Sequence, residues 1–175
     1  MSTATTNRFR FTLSPSARRA VLTTHIIVSV GLLGDSAGYL AVAIRAAAAS
    51  DATVADAAYR MLDMFSVVFG IPLSFAALLT GIALGLGTKW GVFHYPWVMI
   101  KLLLILSVIA VGAFVLQGGM DAMLTGGGGG EVRLIAGAAY DVLALALATG
   151  LAVYKPGRSR PRKAAAEGRA LVPRP

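Results

Sequence analysis

Four long stretches of the chain are almost free of charged side chains, and this feature restricts what the chain can fold into. The stretches are residues 20–44, 65–86, 98–116 and 134–153. About 20 apolar residues in an α-helix cross the roughly 30 Å hydrocarbon core of a bilayer. Hydrophobic residues make up 57% of the sequence and charged residues 14%, which leaves too few polar side chains to cover a water-soluble domain. We therefore predict an all-α protein, a bundle of four transmembrane helices.

The sequence divides into a membrane domain with a tail at each end. Residues 1–17 and 156–175 are basic and lack a sustained hydrophobic period, so we predict that both are tails outside the bundle. Residues 18–155 form the predicted membrane domain. Within it, residues 50–64 carry four charged side chains and are predicted as an exposed connection that leads into the second helix. Residues 118–133 include five consecutive glycines and are predicted as a flexible loop.

The distribution of lysine and arginine predicts the orientation in the membrane. Of the 16 basic residues, twelve lie in the two tails, at the start of the first span, in the connection 87–96 and just after the fourth span, whereas three lie beside the opposite ends of the spans. The positive-inside rule then places both termini in the cytoplasm, with the protein in a bacterial plasma membrane. Because the basic residues cluster at the ends of apolar stretches, we expect the lipid bilayer as partner and no nucleic acid. The basic C-terminal tail is predicted to contact anionic lipid.

The sequence lacks features on which common enzyme chemistry depends. It has no cysteine, which excludes disulfides, thiolate metal sites and cysteine nucleophiles. It has no H-E-x-x-H motif and no serine-hydrolase elbow, and its glycine run follows no predicted strand. We therefore expect neither hydrolytic nor nucleotide-driven chemistry.

Four ionisable residues lie inside the predicted spans, and they form two layers. His25 and Lys101 each lie about one turn inside the cytoplasmic end, while Asp35 and Asp141 form a second layer nearer the outer face. A charged side chain in the centre of a bilayer costs about 2.5–3.5 kcal/mol on insertion scales, so each residue is a candidate for function. Without a basic partner the two carboxyls are expected to be protonated and to share hydrogen bonds or pass a proton.

A second interpretation of the carboxyls is structural. Arg45 and Arg133 lie near the outer ends of the spans and, by folding inward, would pair with Asp35 and Asp141. We rank this structural pairing first, because a carboxylate in hydrocarbon requires a partner.

The first span carries a polar stripe on one helical face. At 100° per residue, Ser29, Ser36 and Tyr39 fall close to His25, which predicts that this face points into the bundle. Gly31, Gly34 and Gly38 add a small-residue surface that allows a second helix, in the same chain or in another copy, to approach closely. The stripe is therefore either a cofactor, quinone or proton site, or a packing surface with hydrogen-bonded side chains.

His25 has several interpretations of its own. Its ring either bonds to a neighbouring helix, ligates a haem b through a neutral nitrogen, or takes part in proton relay or in binding another metal. His94 in the third connection is predicted to be solvated near the headgroups, with a bis-histidine site as the less favoured reading.

Several short motifs resemble those of known families. Tyr59-Arg60, Ile71-Pro72-Leu73, Thr80-Gly81 and Trp97 to Lys101 resemble the four-helix superfamily of HemJ-type protoporphyrinogen oxidases and CopD-like copper-resistance proteins. In the HemJ type, a histidine early in the first helix and a lysine in a W-x-x-x-K element carry activity and haem b binding. The resemblance thus implies cofactor roles for His25, Trp97 and Lys101. The CopD likeness implies, more weakly, copper ligands among His25, Met61, Met64, Met99 and His94.

A further likeness covers more of the chain. Residues 18–155, with the phrase GLGTKWG and HYPWVMIKL, are similar to uncharacterised predicted integral membrane proteins of high-GC bacteria. We therefore expect a binding or accessory four-helix bundle, able to form a homo-oligomer through the glycines of the first span. A HemJ-like redox protein using His25 and Lys101 is the alternative, and CopD-like copper handling is the weaker one.

Overall fold

A computed structural model describes residues 13–87, 96–125 and 128–154, and these residues are almost entirely helical. The elements in chain order are α1 (Pro15–Ala47), α2 (Ala52–Phe65), a π-helical segment π1 (Ser66–Gly70), α3 (Ile71–Leu86), α4 (Pro96–Ala110), a second π-helical segment π2 (Val111–Leu116), α5 (Gln117–Leu124) and α6 (Gly130–Tyr154).

These elements join into four continuous helices that are long and apolar enough to cross a membrane. They run over Pro15–Ala47, Ala52–Leu86, Trp97–Leu124 and Gly130–Tyr154. The predicted four-helix architecture is therefore confirmed, and the helices are longer than the apolar stretches alone indicated. The first helix begins at Pro15 because the Ser14 hydroxyl accepts a hydrogen bond from the Ala17 amide and proline is well suited to the first helical position.

Parts of two predicted connections are helical, which corrects the sequence-based boundaries. Residues 52–65 are α2, whose start is capped by Asp51: its carboxylate accepts a hydrogen bond of 2.8 Å from the Thr53 amide. Residues 117–124 are α5, where a flexible loop was predicted. The reason is close packing, because a Cβ added at Gly119 would lie only 3.1 Å from the Leu134 side chain of α6. Glycines in membrane helices allow such approach.

The second helix contains a proline at its centre and accommodates it with a π segment. Pro72 has no amide hydrogen for the carbonyl four residues earlier, and its ring crowds that carbonyl. Immediately before it, the Ile71 amide bonds to the Ser66 carbonyl, five residues back. The helix therefore widens locally and continues. The third helix has an equivalent segment, in which the Gln117 amide bonds to the Gly112 carbonyl. Such π-helical turns are frequent at functional sites.

The buried core of the bundle has two separate parts. One lies towards the connections α1–α2 and α5–α6 and is built around Tyr39, Leu62 and Leu134. The other lies towards the opposite end and is built around Leu32 and Val108. The two π segments lie between these parts, so the middle of the bundle is packed differently from both of its halves.

Candidate functional site

A cavity of about 270 Å³ occupies the middle of the bundle, between the two parts of the core. Its walls come from α1, π1, α3, α4, π2, α5 and α6. Most of the wall is apolar, and the polar side chains that line it are Asp35, Ser36, Tyr39, Ser66, Ser74, Gln117 and Asp141. Asp35 and Asp141 lie near the midpoints of α1 and α6. The cavity is therefore at mid-membrane depth, and the structure brings both predicted carboxyls to it.

The two carboxyls lack partners within the described part of the chain. Asp141 is 5% exposed, Asp35 is half-buried, and the Oδ1 atom of each is buried without a hydrogen-bond partner. Neither forms an ion pair; the pair present among the described residues joins Arg60 and Asp56 at the surface, 2.9 Å apart. Because an isolated carboxylate is costly in hydrocarbon, this arrangement favours the neutral form of both side chains.

The predicted structural pairing of the carboxyls is wrong. Arg45 is at the end of α1, and the Arg133 side chain lies against Gly118 and Gly119 of α5. Neither guanidinium forms an ion pair with Asp35 or Asp141 in the described residues. Both arginines belong to the ends of the helices, where their charge stays near water at little cost.

The cavity wall offers free hydrogen-bond acceptors beside its donors. The buried Ser74 hydroxyl donates to the Ile71 carbonyl at 2.9 Å, which leaves its oxygen as an acceptor. The Tyr39 phenol lies beside the Ser66 hydroxyl, on the same wall as the carboxyls. A molecule with N–H or O–H groups would complement this wall better than an anion would.

One side of the cavity opens to the surface of the bundle at mid-membrane depth. Two of its lining residues on α3, Ile71 and Phe75, are 53% and 50% exposed. Across the opening, Ala113 of π2 and Gln117 of α5 are also exposed. Beside them, a Cβ added at Gly112 would meet no atom within 4 Å. The opening therefore lies between α3 and π2.

His25 belongs to a separate polar cluster. Its Nδ1 lies 2.9 Å from the Thr80 hydroxyl of α3, and that hydroxyl donates to the Ala76 carbonyl at 2.6 Å. With the hydroxyl proton on the Ala76 carbonyl, Nδ1–H of His25 is the donor to Thr80. Lys101 lies near enough to interact with His25 electrostatically. The two residues are therefore close to each other, and a neighbouring helix provides a hydrogen-bond partner for Nδ1 of His25.

The described surroundings of His25 do not fit a haem. On α1 the cavity reaches only as far as Leu32, roughly 10 Å along the helix from His25. The ring packs instead against Gly81, where an added Cβ would lie 3.3 Å from Cε1. A porphyrin ligated by this imidazole requires open space beside the ring, and the neighbouring helix fills the Cε1 side. Trp97 lies in the first turn of α4, one helical turn from Lys101, and also lies outside the cavity wall.

Two of the copper ligands implied by the CopD likeness, Met61 and Met64, lie far from His25. Met61 and Met64 are 47% and 48% exposed on α2. Met64 is roughly 24 Å along the same continuous helix from Thr80, the partner of His25. The described residues contain no group of three or more histidine, aspartate or glutamate side chains placed to hold a metal. His94 lies outside the described residues.

The predicted stripe on α1 faces the bundle, but the three glycines beside it differ in how closely other residues approach them. Leu32, Ser36 and Tyr39 are buried. A Cβ added at Gly38 would lie 3.2 Å from the Phe65 ring, and one at Gly31 would make an ordinary contact with Leu73. At Gly34 an added Cβ would meet nothing within 4 Å, so this glycine faces outward. Self-association through it stays a prediction.

A family comparison supports the membrane assignment independently. Residues 19–126, more than half of the chain, match the family described as predicted integral membrane protein, DUF2269. The chain belongs to the DUF2269 family. No curated protein and no solved structure matches the chain.

Because the DUF2269 family is described as a predicted integral membrane protein, we interpret the exposed apolar side chains as lipid contacts. Ile27, Leu79, Leu103 and Leu143, one on each helix, are each more than 60% exposed, as expected for surfaces that face acyl chains. The matched segment covers the first three membrane helices with their cavity residues, whereas Asp141 lies beyond it.

The sequence pattern missed several residues that form the cavity. Ser66, Ser74 and Gln117 line it, yet single serines and glutamines in apolar helices carry no distinctive signal. Pro72 was a usable signal for π1, because a proline inside a membrane helix requires a local change of hydrogen bonding. The sequence has no comparable residue that predicts π2.

Proposed function

We propose that this integral membrane protein is a ligand-binding four-helix bundle of the bacterial plasma membrane. Its ligand is a small molecule that brings N–H or O–H groups into the cavity at mid-membrane depth. The observation that carries the proposal is the Asp141 carboxyl, which lines the cavity, is 5% exposed and has a buried oxygen without a partner. An unsatisfied buried polar group costs about 1–3 kcal/mol, and a bound donor recovers that energy.

The composition of the cavity wall supports this class of ligand. Among the described residues that line it there is no lysine, arginine or histidine, and apart from Gln117 the carboxyl and hydroxyl groups stand on an apolar surface. Apolar walls with a few convergent polar groups are typical of small-molecule sites. The volume of about 270 Å³ suits a compact molecule better than a macrocycle.

Binding is tested by thermal unfolding of the detergent-purified protein with ethylamine, octylamine and octanol as probes. A ligand that binds only the folded state raises the midpoint by mass action. We expect at least one probe to raise the midpoint of the wild type, and expect no rise in the double variant Asp35→Asn/Asp141→Asn. Asparagine keeps the size of each side chain and removes its acidic proton. Equal shifts in both proteins would reject the proposed site.

The proposed orientation has both termini in the cytoplasm. It is supported by twelve of 16 basic residues on one side of the predicted spans. Fusion of a fluorescent protein or of alkaline phosphatase to the C-terminus tests it: we expect fluorescence from the first fusion and no phosphatase activity from the second. The reverse result would mean that the bundle has the opposite orientation in the membrane, and the cavity would be unaffected.

A further inference from the structure

We infer that the ligand of the cavity is a lipid-soluble amine, which enters sideways from the hydrocarbon core through the opening between α3 and π2. The inference rests on the proposed function and specifies its ligand class and route. It starts from one geometric fact, that the opening of the cavity lies at the middle of the membrane helices.

Both ends of the cavity are closed along the axis of the bundle. Towards one end, Leu62 and Leu134 are completely buried. Towards the other end, Leu32 and Val108 are 2% and 4% exposed. A water-soluble ion therefore has no polar path along the described helices, whereas a molecule dissolved in lipid meets the opening directly.

Apart from Gln117, the wall beside the opening is apolar, and it has room for passage. Ile71 and Phe75 form one side, and Gly112 and Ala113 form the other. A side chain added at Gly112 would enter empty space rather than the neighbouring helix. An entering molecule therefore passes apolar groups first and reaches the carboxyls behind them, an order that favours a ligand with an apolar body and one polar end.

The chemistry of the carboxyls selects an amine. A neutral amine dissolves in hydrocarbon, and its nitrogen lone pair takes the proton of a neutral aspartic acid inside the cavity. The carboxyl O–H bond breaks, an N–H bond forms, and the O–H electron pair stays on the carboxylate. The product is an ammonium–carboxylate ion pair with no net charge, so no outside proton or counterion is required. Its charge-assisted hydrogen bonds are stronger than those that an alcohol would form.

The titratable groups that line the cavity agree with this step. They are Asp35 and Tyr39 of α1 and Asp141 of α6, while π1, α3 and α5 contribute the neutral Ser66, Ser74 and Gln117. The second carboxyl accepts a further N–H from the ammonium. A quaternary ammonium has neither a lone pair nor an N–H and is permanently charged, so it is excluded both from the route and from the site.

The ligand class is tested with dicyclohexylcarbodiimide, a hydrophobic reagent that modifies protonated carboxyls within lipid. The full-length protein is reconstituted in phosphatidylcholine vesicles, and modification of Asp35 and Asp141 is followed by mass spectrometry. We expect octylamine to slow the modification by about tenfold at saturation, ethylamine to do so less at equal aqueous concentration, and octyltrimethylammonium to have no effect. Protection by ethylamine equal to that by octylamine would overturn the lipid-soluble class and leave the binding site standing.

The route is tested with a matched pair of glycine variants. At Gly112 and at Gly150 an added Cβ meets nothing within 4 Å, but only Gly112 borders the cavity. We expect Gly112→Leu to slow carbodiimide modification by about tenfold and Gly150→Leu to leave it within about twofold of the wild type. Equal rates in the two variants would overturn the lateral route. Should no probe protect the carboxyls or raise the unfolding midpoint, the proposed function itself fails.

Discussion

The two polar layers of the bundle differ in how their polar atoms are satisfied. In the layer of His25, the imidazole proton goes to Thr80 and the Thr80 proton goes to a backbone carbonyl. In the layer of Asp35 and Asp141, a buried oxygen of each carboxyl has no partner, and both side chains line a cavity. The sequence presents both layers alike, as ionisable residues within apolar helices. The comparison shows that unsatisfied atoms beside free space, rather than polarity alone, distinguish a candidate binding site from packing.

The largest difference between the layers is expected in ligand binding. Asp141→Asn should weaken the binding of octylamine by roughly tenfold to a hundredfold, because hydrogen bonds to charged groups contribute about 1.5–3 kcal/mol. His25→Gln should leave the affinity unchanged, since His25 lies outside the cavity wall. The affinity is measured from the concentration dependence of the unfolding midpoint. A loss of equal size in both variants would remove the distinction between the layers.

A second difference is expected in stability. Thr80→Val keeps the shape of the side chain and leaves the His25 Nδ1–H without its partner, so the free energy of unfolding should fall by about 1–3 kcal/mol. Thr149→Val is the matched control, because the Thr149 hydroxyl bonds only to the Leu145 carbonyl of its own helix. Unfolding in mixed micelles with a denaturing detergent measures both. Similar changes in the two variants would show that the His25–Thr80 bond adds no stability.

In the layer of Asp35 and Asp141, a substitution should change the free energy of unfolding in the opposite direction. Asp141→Leu replaces a buried, unpartnered carboxyl with an apolar side chain of similar size, so we expect the free energy of unfolding to rise by about 1 kcal/mol. The same unfolding assay measures it. A fall comparable to that of Thr80→Val would indicate that Asp141 has a stabilising partner, which contradicts its role as an open acceptor.

The smallest effect is expected for haem. Protein purified from cells supplied with a haem precursor should show no Soret band at a stoichiometric level, and His25→Ala should leave the spectrum unchanged. The reason is the contact of the His25 ring with Gly81 and its bond to Thr80. An oxidised and reduced absorption spectrum measures this directly. One haem per chain, lost in His25→Ala, would make the layer of His25 the functional one.

The sequence predicted the helices better than their boundaries. Hydrophobic length alone indicated four membrane helices, because a bilayer leaves few alternatives for a long apolar segment. It placed the residues of α2 and α5 in connections, because charged residues and glycines near a helix end resemble a loop when the neighbouring helices are unknown. Asp51 is a recognisable cap in retrospect, while the contact of Gly119 with Leu134 depends on a partner distant in sequence.

The candidate site was only partly predictable. The position of Asp35 and Asp141 within long apolar helices followed from the sequence. Whether a buried group is satisfied depends on atoms contributed by other helices, and this separates His25, which meets Thr80, from Asp141, which meets a cavity. The pairing with Arg45 and Arg133 was wrong for the same reason.

The sequence by itself determined that the helices lie in a membrane, how many there are and which polar residues they contain. Each of these follows from local composition and the thickness of a bilayer. The tertiary structure alone decided that two π segments line one cavity, that the core is divided around it, and that both carboxyls border it. The physical reason is that helix packing is set by contacts between segments far apart in the chain. Small side chains and π-helical turns together set how closely the helices pack, and the sequence of a single helix does not predict this arrangement.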